Sequence, residues 1–227
     1  MQCRNLPILS FSAVALLLHG CDSNEDALIN GRTMGTSYSI RVSNCELPDC
    51  ATGVKERVEA RLGELNSTLS HYDAASAISR FNQHSGGDWV TVPADLAFVT
   101  DAALKLAMLT DGAFDPTVAP AVNAWGFGSA GPLAAPDSLP DPAIVAPSLQ
   151  AIGFTQLSTR PAPPALQKTA PDVQLDLSGI AKGYAVDQLS LLLENAGITD
   201  YLVEIGGEVR VAGQQPAGKR WRIAIEP

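Results

Sequence analysis

The residues best suited to chemistry lie between Gln174 and Asp187. Val173, Leu175 and Leu177 alternate as a strand that delivers Asp176 to its end. A tight Ser178-Gly179 turn follows, and then a helix runs to about Asn195, stopped by Gly197. The first turn of a helix carries unpaired N–H groups and the positive end of the helix dipole, and both attract anions. Lys182, one turn into that helix, can reach back to the same point. Carboxylate, glycine turn, helix start and lysine together suit a phosphate held with a divalent cation. The same residues also suit a helix cap with a surface salt bridge, and the segment alone does not choose between the two. A second cluster runs from Gly112 to Pro120, where Phe114 and Asp115 sit on a loop punctuated by Pro116 and Pro120. Alone it reads as a helix C-terminus and a turn.

Other familiar chemistries are missing or misplaced. Gly126, Gly128 and Gly131 match the GxGxxG spacing of dinucleotide-binding turns, but the turn needs a strand before it and a helix after it, and Pro132, Pro136, Pro140 and Pro142 forbid a helix. There is no G-x4-GK[ST], GxSxG or HExxH motif. His19, His71 and His84 are scattered, which argues against a histidine-ligated metal and reads as surface or core positions.

The elements that must hold these residues are visible as periodicities. Thr36 to Ser43 alternates with Tyr38, Ile40 and Val42 on one face, as a half-buried strand does. Val54, Val58, Leu62 and Leu65 repeat at helical spacing, as do Leu96, Val99, Ala103 and Leu106, and Gly112 marks the end of that second helix. Tyr201, Val203 and Ile205 form a strand that turns at Gly206-Gly207 and returns through Glu208 to Ala212. Trp221, Ile223 and Ile225 begin one more strand, and Pro227 closes the chain in mid-pattern, as in a fragment. Gly131 to Pro171 is rich in Pro and Ala and predicts an irregular surface excursion, not a second domain. The expected fold class is α+β, with mixed or antiparallel sheets covered by helices at Val54 to Leu65, Leu96 to Leu109 and Ile180 to Asn195.

Composition bounds the partners. The 227 residues hold 15 Lys+Arg against 24 Asp+Glu, a net charge of −9, which argues against a nucleic-acid binder. With 46% hydrophobic and 17% charged residues the chain is globular and not disordered. Residues 1–20 read as a targeting segment: Arg4 is basic, Pro7 to Leu18 is apolar, and the run is too short to span a bilayer. Gly20-Cys21 resembles a bacterial lipobox, with Cys21 acylated and His19 departing from the usual small residue; a plain secretory peptide cut nearby is the alternative. The lipobox resemblance further implies that Asp22, just after the cysteine, favours retention at the inner membrane on the periplasmic side. Residues 21–30 are polar and read as lipidated Cys and tether, leaving 31–227 as the domain. Cys45 and Cys50 are then an even pair in an oxidising compartment, and their C-x4-C spacing permits a disulfide worth about 2 kcal/mol.

Five segments carry a resemblance. They are Gly31 to Thr36, Leu69-Ser-His-Tyr-Asp73 with Ser79-Arg-Phe-Asn82, Thr110 to Thr117 through Trp125-Gly-Phe127, Leu175 to Ala185, and Glu204-Ile-Gly-Gly207. In this order they resemble the ApbE-type FAD:protein FMN transferases, whose fold is T-fold-related, from about Asn30 to Pro227. The resemblance implies a magnesium-dependent envelope enzyme that moves the FMN half of FAD onto a threonine or serine hydroxyl of an acceptor flavoprotein and releases AMP. The family's usual acceptors are membrane respiratory or electron-transfer subunits. It places Met34, Tyr72, Ala113, Phe114, Asp115, Asp176 and Lys182 at the FAD and makes the main-chain carbonyl of Gly179 a magnesium ligand. Family members continue past the position of Pro227, and the resemblance puts the side-chain metal ligands, an aspartate and a threonine, and the histidine base there. An FAD pyrophosphatase giving FMN and AMP, or a non-catalytic FAD-binding lipoprotein, are the alternatives, the second favoured for the 227 residues alone.

Overall fold

A computed structural model describes residues 25–45, 50–128, 131–132 and 139–224. Strands β1 (Glu25–Thr33) and β2 (Thr36–Cys45) form a hairpin. β6 (Tyr201–Ile205) pairs with β2, and β7 (Glu208–Ala212) pairs with β6. This four-stranded sheet has the order β1-β2-β6-β7, and every pair is antiparallel. Period-two alternation puts Ile29, Tyr38, Ile40, Val42, Tyr201, Val203 and Ile205 on one buried face. Helices α1 (Cys50–Leu69) and α6 (Ser178–Asn195) cover that face with Val54, Val58, Leu62, Leu65, Ala185, Leu189 and Leu193. Leu28, Val209 and Val211 stay exposed. One face packed and one wet is the usual state of an antiparallel sheet, so the fold is α+β.

Helix α2 (Ala77–Gln83) is capped by Ser76, whose side chain accepts from Ser79 N. β3 (Val90–Thr91) leads to α3 (Ala94–Leu109), and α4 spans Ala119–Ala124. Then come α5 (Pro142–Gln150), β4 (Leu157–Pro161) and β5 (Pro164–Lys168). The second sheet has the order β3-β5-β4, and α3 packs on it. Cys45 at the end of β2 and Cys50 at the start of α1 are joined by a disulfide.

Several expectations need correction. Residues 25–30 are not tether but part of β1, because Ala27 and Ile29 alternate inward and the strand pairs with β2 along its length. Residues 142–168 are not an irregular excursion. Pro142 sits at the first turn of α5, where a missing N–H costs nothing, and the remainder supplies two strands of a sheet. Residues 173–177 form no strand and join no sheet, and Leu177, at φ −104° and ψ 12°, is the N-cap of α6. The side chain of Asn82 serves as their partner: its Nδ2 donates to Leu175 O at 2.9 Å and its Oδ1 accepts from Leu175 N at 2.7 Å. Residues 221–224 form no strand, and Trp221 Nε1 instead donates to Ala212 O at 2.8 Å. The targeting segment and Cys21 lie outside the described residues.

Candidate active site

Four backbone features bring the site residues into place. Met34 and Gly35 form the two-residue β1–β2 turn at φ 48° and 74°, so Met34 holds a left-handed conformation that non-glycine residues seldom adopt. Just past the end of α3, Asp111 (φ 51°) and Gly112 (φ 80°) turn the chain, and Gly112 N donates to Ala107 O at 2.9 Å. Phe114 then turns back onto the core and lies close over Gly179: an added Cβ would lie 3.0 Å from Phe114 Cε2, so the ring would have to give. Finally, Asp176 N donates to Pro116 O at 2.8 Å, docking the 113–117 loop onto the start of α6.

The first cavity, about 400 Å³, is lined by His71, Tyr72, Asn82, Asn123, Gln174 and Asp176 among others. The second, about 350 Å³, is lined by Met34, Asn66, Ser70, His71, Tyr72, Lys182 and neighbours. His71 and Tyr72 are the two residues common to both, so they form the partition between them. The rings stack with centroids 4.0 Å apart, Tyr72 is 64% exposed, and its hydroxyl donates to Phe127 O at 3.1 Å. A third cavity, about 520 Å³, lies across α6 and is lined by Gly179, Gly183, Tyr184, Glu208 and Arg210 among others.

Of the sequence-predicted residues, Met34, Tyr72 and Lys182 share the second cavity, Tyr72 and Asp176 the first, and Gly179 faces the third. Ala113, Phe114 and Asp115 line none of these three. Asp115 is engaged inside the protein: Oδ1 accepts from Thr117 N at 2.8 Å and Thr117 Oγ1 at 2.6 Å, and Oδ2 accepts from Phe154 N at 3.1 Å. Asp176 Oδ1 accepts from the N–H of Ser178, the first residue of α6, at 2.8 Å, and Lys182 is paired with Glu208 at 3.0 Å. The salt bridge therefore exists, whereas the N-cap position is Leu177 with no side-chain cap bond; Asp176 and Lys182 both border cavities.

Three residues without a role in the sequence reading shape the site. His71, read as surface or core, is in the partition; its Nδ1 is 3.6 Å from Asp176 Oδ1, and Nε2 is buried with no partner among the described residues. Its place beside Tyr72 in Leu69-Ser-His-Tyr-Asp73 was the available signal. Lys168 is fully buried, and Nζ donates to Asn82 O, Pro171 O and Val173 O at 2.8, 2.9 and 2.9 Å. Burial pushes its pKa below the ordinary lysine value, against the pull of Asp172. Glu208 follows the Gly206-Gly207 turn and meets Lys182.

Among the described residues no three His, Cys, Asp or Glu side chains are grouped to hold a metal ion. The Gly179 carbonyl is at most one donor of an incomplete set, so the described residues do not by themselves make a magnesium site.

The match with known proteins is extensive. The model of the ApbE family covers residues 34–227. The chain belongs to the ApbE family. Curated ApbE relatives named FAD:protein FMN transferase include one from Haemophilus influenzae, 38% identical over 94% of this chain, and one from Vibrio cholerae, 39% identical over 94%. The chain spans 62% and 63% of the length of those two relatives. Among solved ApbE structures, the flavin transferase from Vibrio cholerae superposes with a TM-score of 0.82 at 38% identity, over 89% of this chain and 64% of that one. The ApbE protein of Thermotoga maritima gives a TM-score of 0.72 at 27% identity, over 84% of this chain and 60% of that one.

Proposed function

We propose that the chain carries the FAD-binding part of an FAD:protein FMN transferase. In this reading the FMN half of FAD is passed to a threonine or serine hydroxyl of an acceptor flavoprotein, and AMP leaves. The observation that carries it is the convergence of Met34, Tyr72 and Lys182 on one cavity, separated from Asp176 in the next only by the His71–Tyr72 partition. A dinucleotide is long enough to lie across that partition with one half in each cavity. Met34 and Tyr72 offer a thioether and an aromatic face to a flat ring. Lys182 supplies positive charge to the diphosphate, Asp176 accepts from ribose or base donors, and the partition keeps the halves apart.

Magnesium is part of the proposal, with the Gly179 carbonyl as one ligand; when bound it would neutralise diphosphate charge. Phe114, packed over Gly179, fixes the first turn of α6 where that carbonyl sits. The deciding experiment is titration of FAD with the purified chain and divalent metal, read by flavin emission. Saturable quenching or shift is expected, and an unchanged emission over micromolar to millimolar protein overturns the reading.

The lipobox-like Gly20-Cys21 supports a lipid anchor on the periplasmic side of the inner membrane, where an acceptor that is a membrane respiratory or electron-transfer subunit would be close at hand. Cys21→Ser is expected to move the protein from the membrane to the soluble fraction; retention in the membrane would sink the anchor.

A further inference from the structure

This inference rests on the FAD reading above. Lys182 is the one Lys or Arg among the described residues that line the first two cavities, so a diphosphate there depends on it for direct cationic contact. Lysine is a point charge on a flexible stem, and a free one loses rotamer freedom when a ligand fixes it. Here the ammonium is already fixed: Glu208 Oε1 accepts from Nζ at 3.0 Å. Glu208 lines neither of those cavities but does line the third.

The backbone defines where that carboxylate begins. Gly206 and Gly207 turn at φ 56° and 99°, and a Cβ on Gly206 would lie 2.7 Å from Thr36 Cγ2, so the turn is pressed against β2. Glu208 is the next residue and the first of β7. Its second oxygen, Oε2, is buried and has no hydrogen-bond partner among the described residues. Leaving a buried acceptor unmet is unfavourable, so the Glu208 carboxylate is a poor device for stability. Its effect falls on Lys182.

We propose that Glu208 is a positioning residue of the FAD site, holding the Lys182 ammonium at the cavity wall so that its remaining N–H groups face the diphosphate. The binding site is thereby preorganised, which favours affinity without any contact between Glu208 and the ligand.

The test is FAD affinity of the full chain, read by flavin emission, for the wild type, E208A, E208Q, K182A and the E208A/K182A pair, with thermal unfolding alongside. E208A is expected to weaken FAD about tenfold. E208Q, nearly the same shape and still able to accept from Nζ, is expected to lose about threefold with an unchanged or raised Tm, and it keeps the test readable if E208A unfolds. In the K182A background E208A should have no further effect. Tighter binding in E208A would mean that the carboxylate competes with the ligand for Lys182, and an equal loss with or without Lys182 would mean a general structural effect. Either result overturns the proposal. Normal wild-type binding with E208A unaffected defeats it alone, whereas a wild type that does not bind FAD defeats the underlying reading and the proposal with it.

Discussion

Tyr72 is the residue on which binding can be separated from stability. It is 64% exposed, and one hydrogen bond to Phe127 O and the stack on His71 hold it, so its removal costs the fold little. Aromatic stacking contributes about 1 kcal/mol beyond burial. Tyr72→Ala is therefore expected to weaken FAD about fivefold with Tm nearly unchanged, measured by emission titration and thermal melting. Unaltered affinity would remove Tyr72 from the site. Asp115 shows the opposite case, an acid that family resemblance places at the ligand while both its oxygens hold the 115–117 and 153–154 segments together. A resemblance transfers the position of a residue more securely than what its side chain does.

At the scale of elements, the segment that delivers Asp176 is not stabilised by a sheet. Two side chains, Asn82 and Lys168, replace the missing strand partner. Lys168→Met keeps the apolar stem but leaves three carbonyls without their donor. It is expected to lower the unfolding free energy by about 3 kcal/mol in urea denaturation and to weaken FAD as well, because Asp176 loses its support. A loss well below 1 kcal/mol would mean that water satisfies those carbonyls. The alternation of Val173, Leu175 and Leu177 correctly marked buried chain, since all three are buried, but no strand forms there. It carried no information on whether the partner would be a strand or an asparagine.

Across the whole molecule, one ion-pair network ties α1, α3 and α6 together. Arg61 meets both oxygens of Asp95 at 2.9 and 3.0 Å and donates to Gln188 at 2.8 Å, and Tyr184 donates to Asp95 at 2.6 Å. Burial pushes the Asp95 carboxyl up, but hydrogen bonds from Arg61 and Tyr184 and the Arg61 charge outweigh it, and its pKa lies below the ordinary 3.8. A depressed carboxylate contributes stability that is fully present above the unfolded value and is lost as pH falls through the folded one. The stability difference between the wild type and Asp95→Asn should thus be large at pH 7 and shrink steadily below about pH 5, followed by denaturant melts; a constant difference would contradict it. Burial and Asp95 push the Tyr184 hydroxyl up, so its contribution is present below pH 10.0 and fades above that value.

Local pattern was enough for much of this. Periodicity located β2, α1, α3, α6 and the β6–β7 hairpin, because an element's buried face repeats within its own few residues. Gly112, Gly197 and the Gly206-Gly207 pair marked turns, where the backbone is left-handed, but Ser178-Gly179 is the first turn of α6 itself and not a turn that precedes it. The β1 strand and the second sheet were hidden by short runs and prolines that local signals read as loop. Which side chains meet was decided by the tertiary structure alone. Lys168 reaches Asn82 across 86 positions, Asn82 reaches Leu175 across 93, and Glu208 reaches Lys182 across 26. No spacing rule spans such distances; packing the helices on the sheet does.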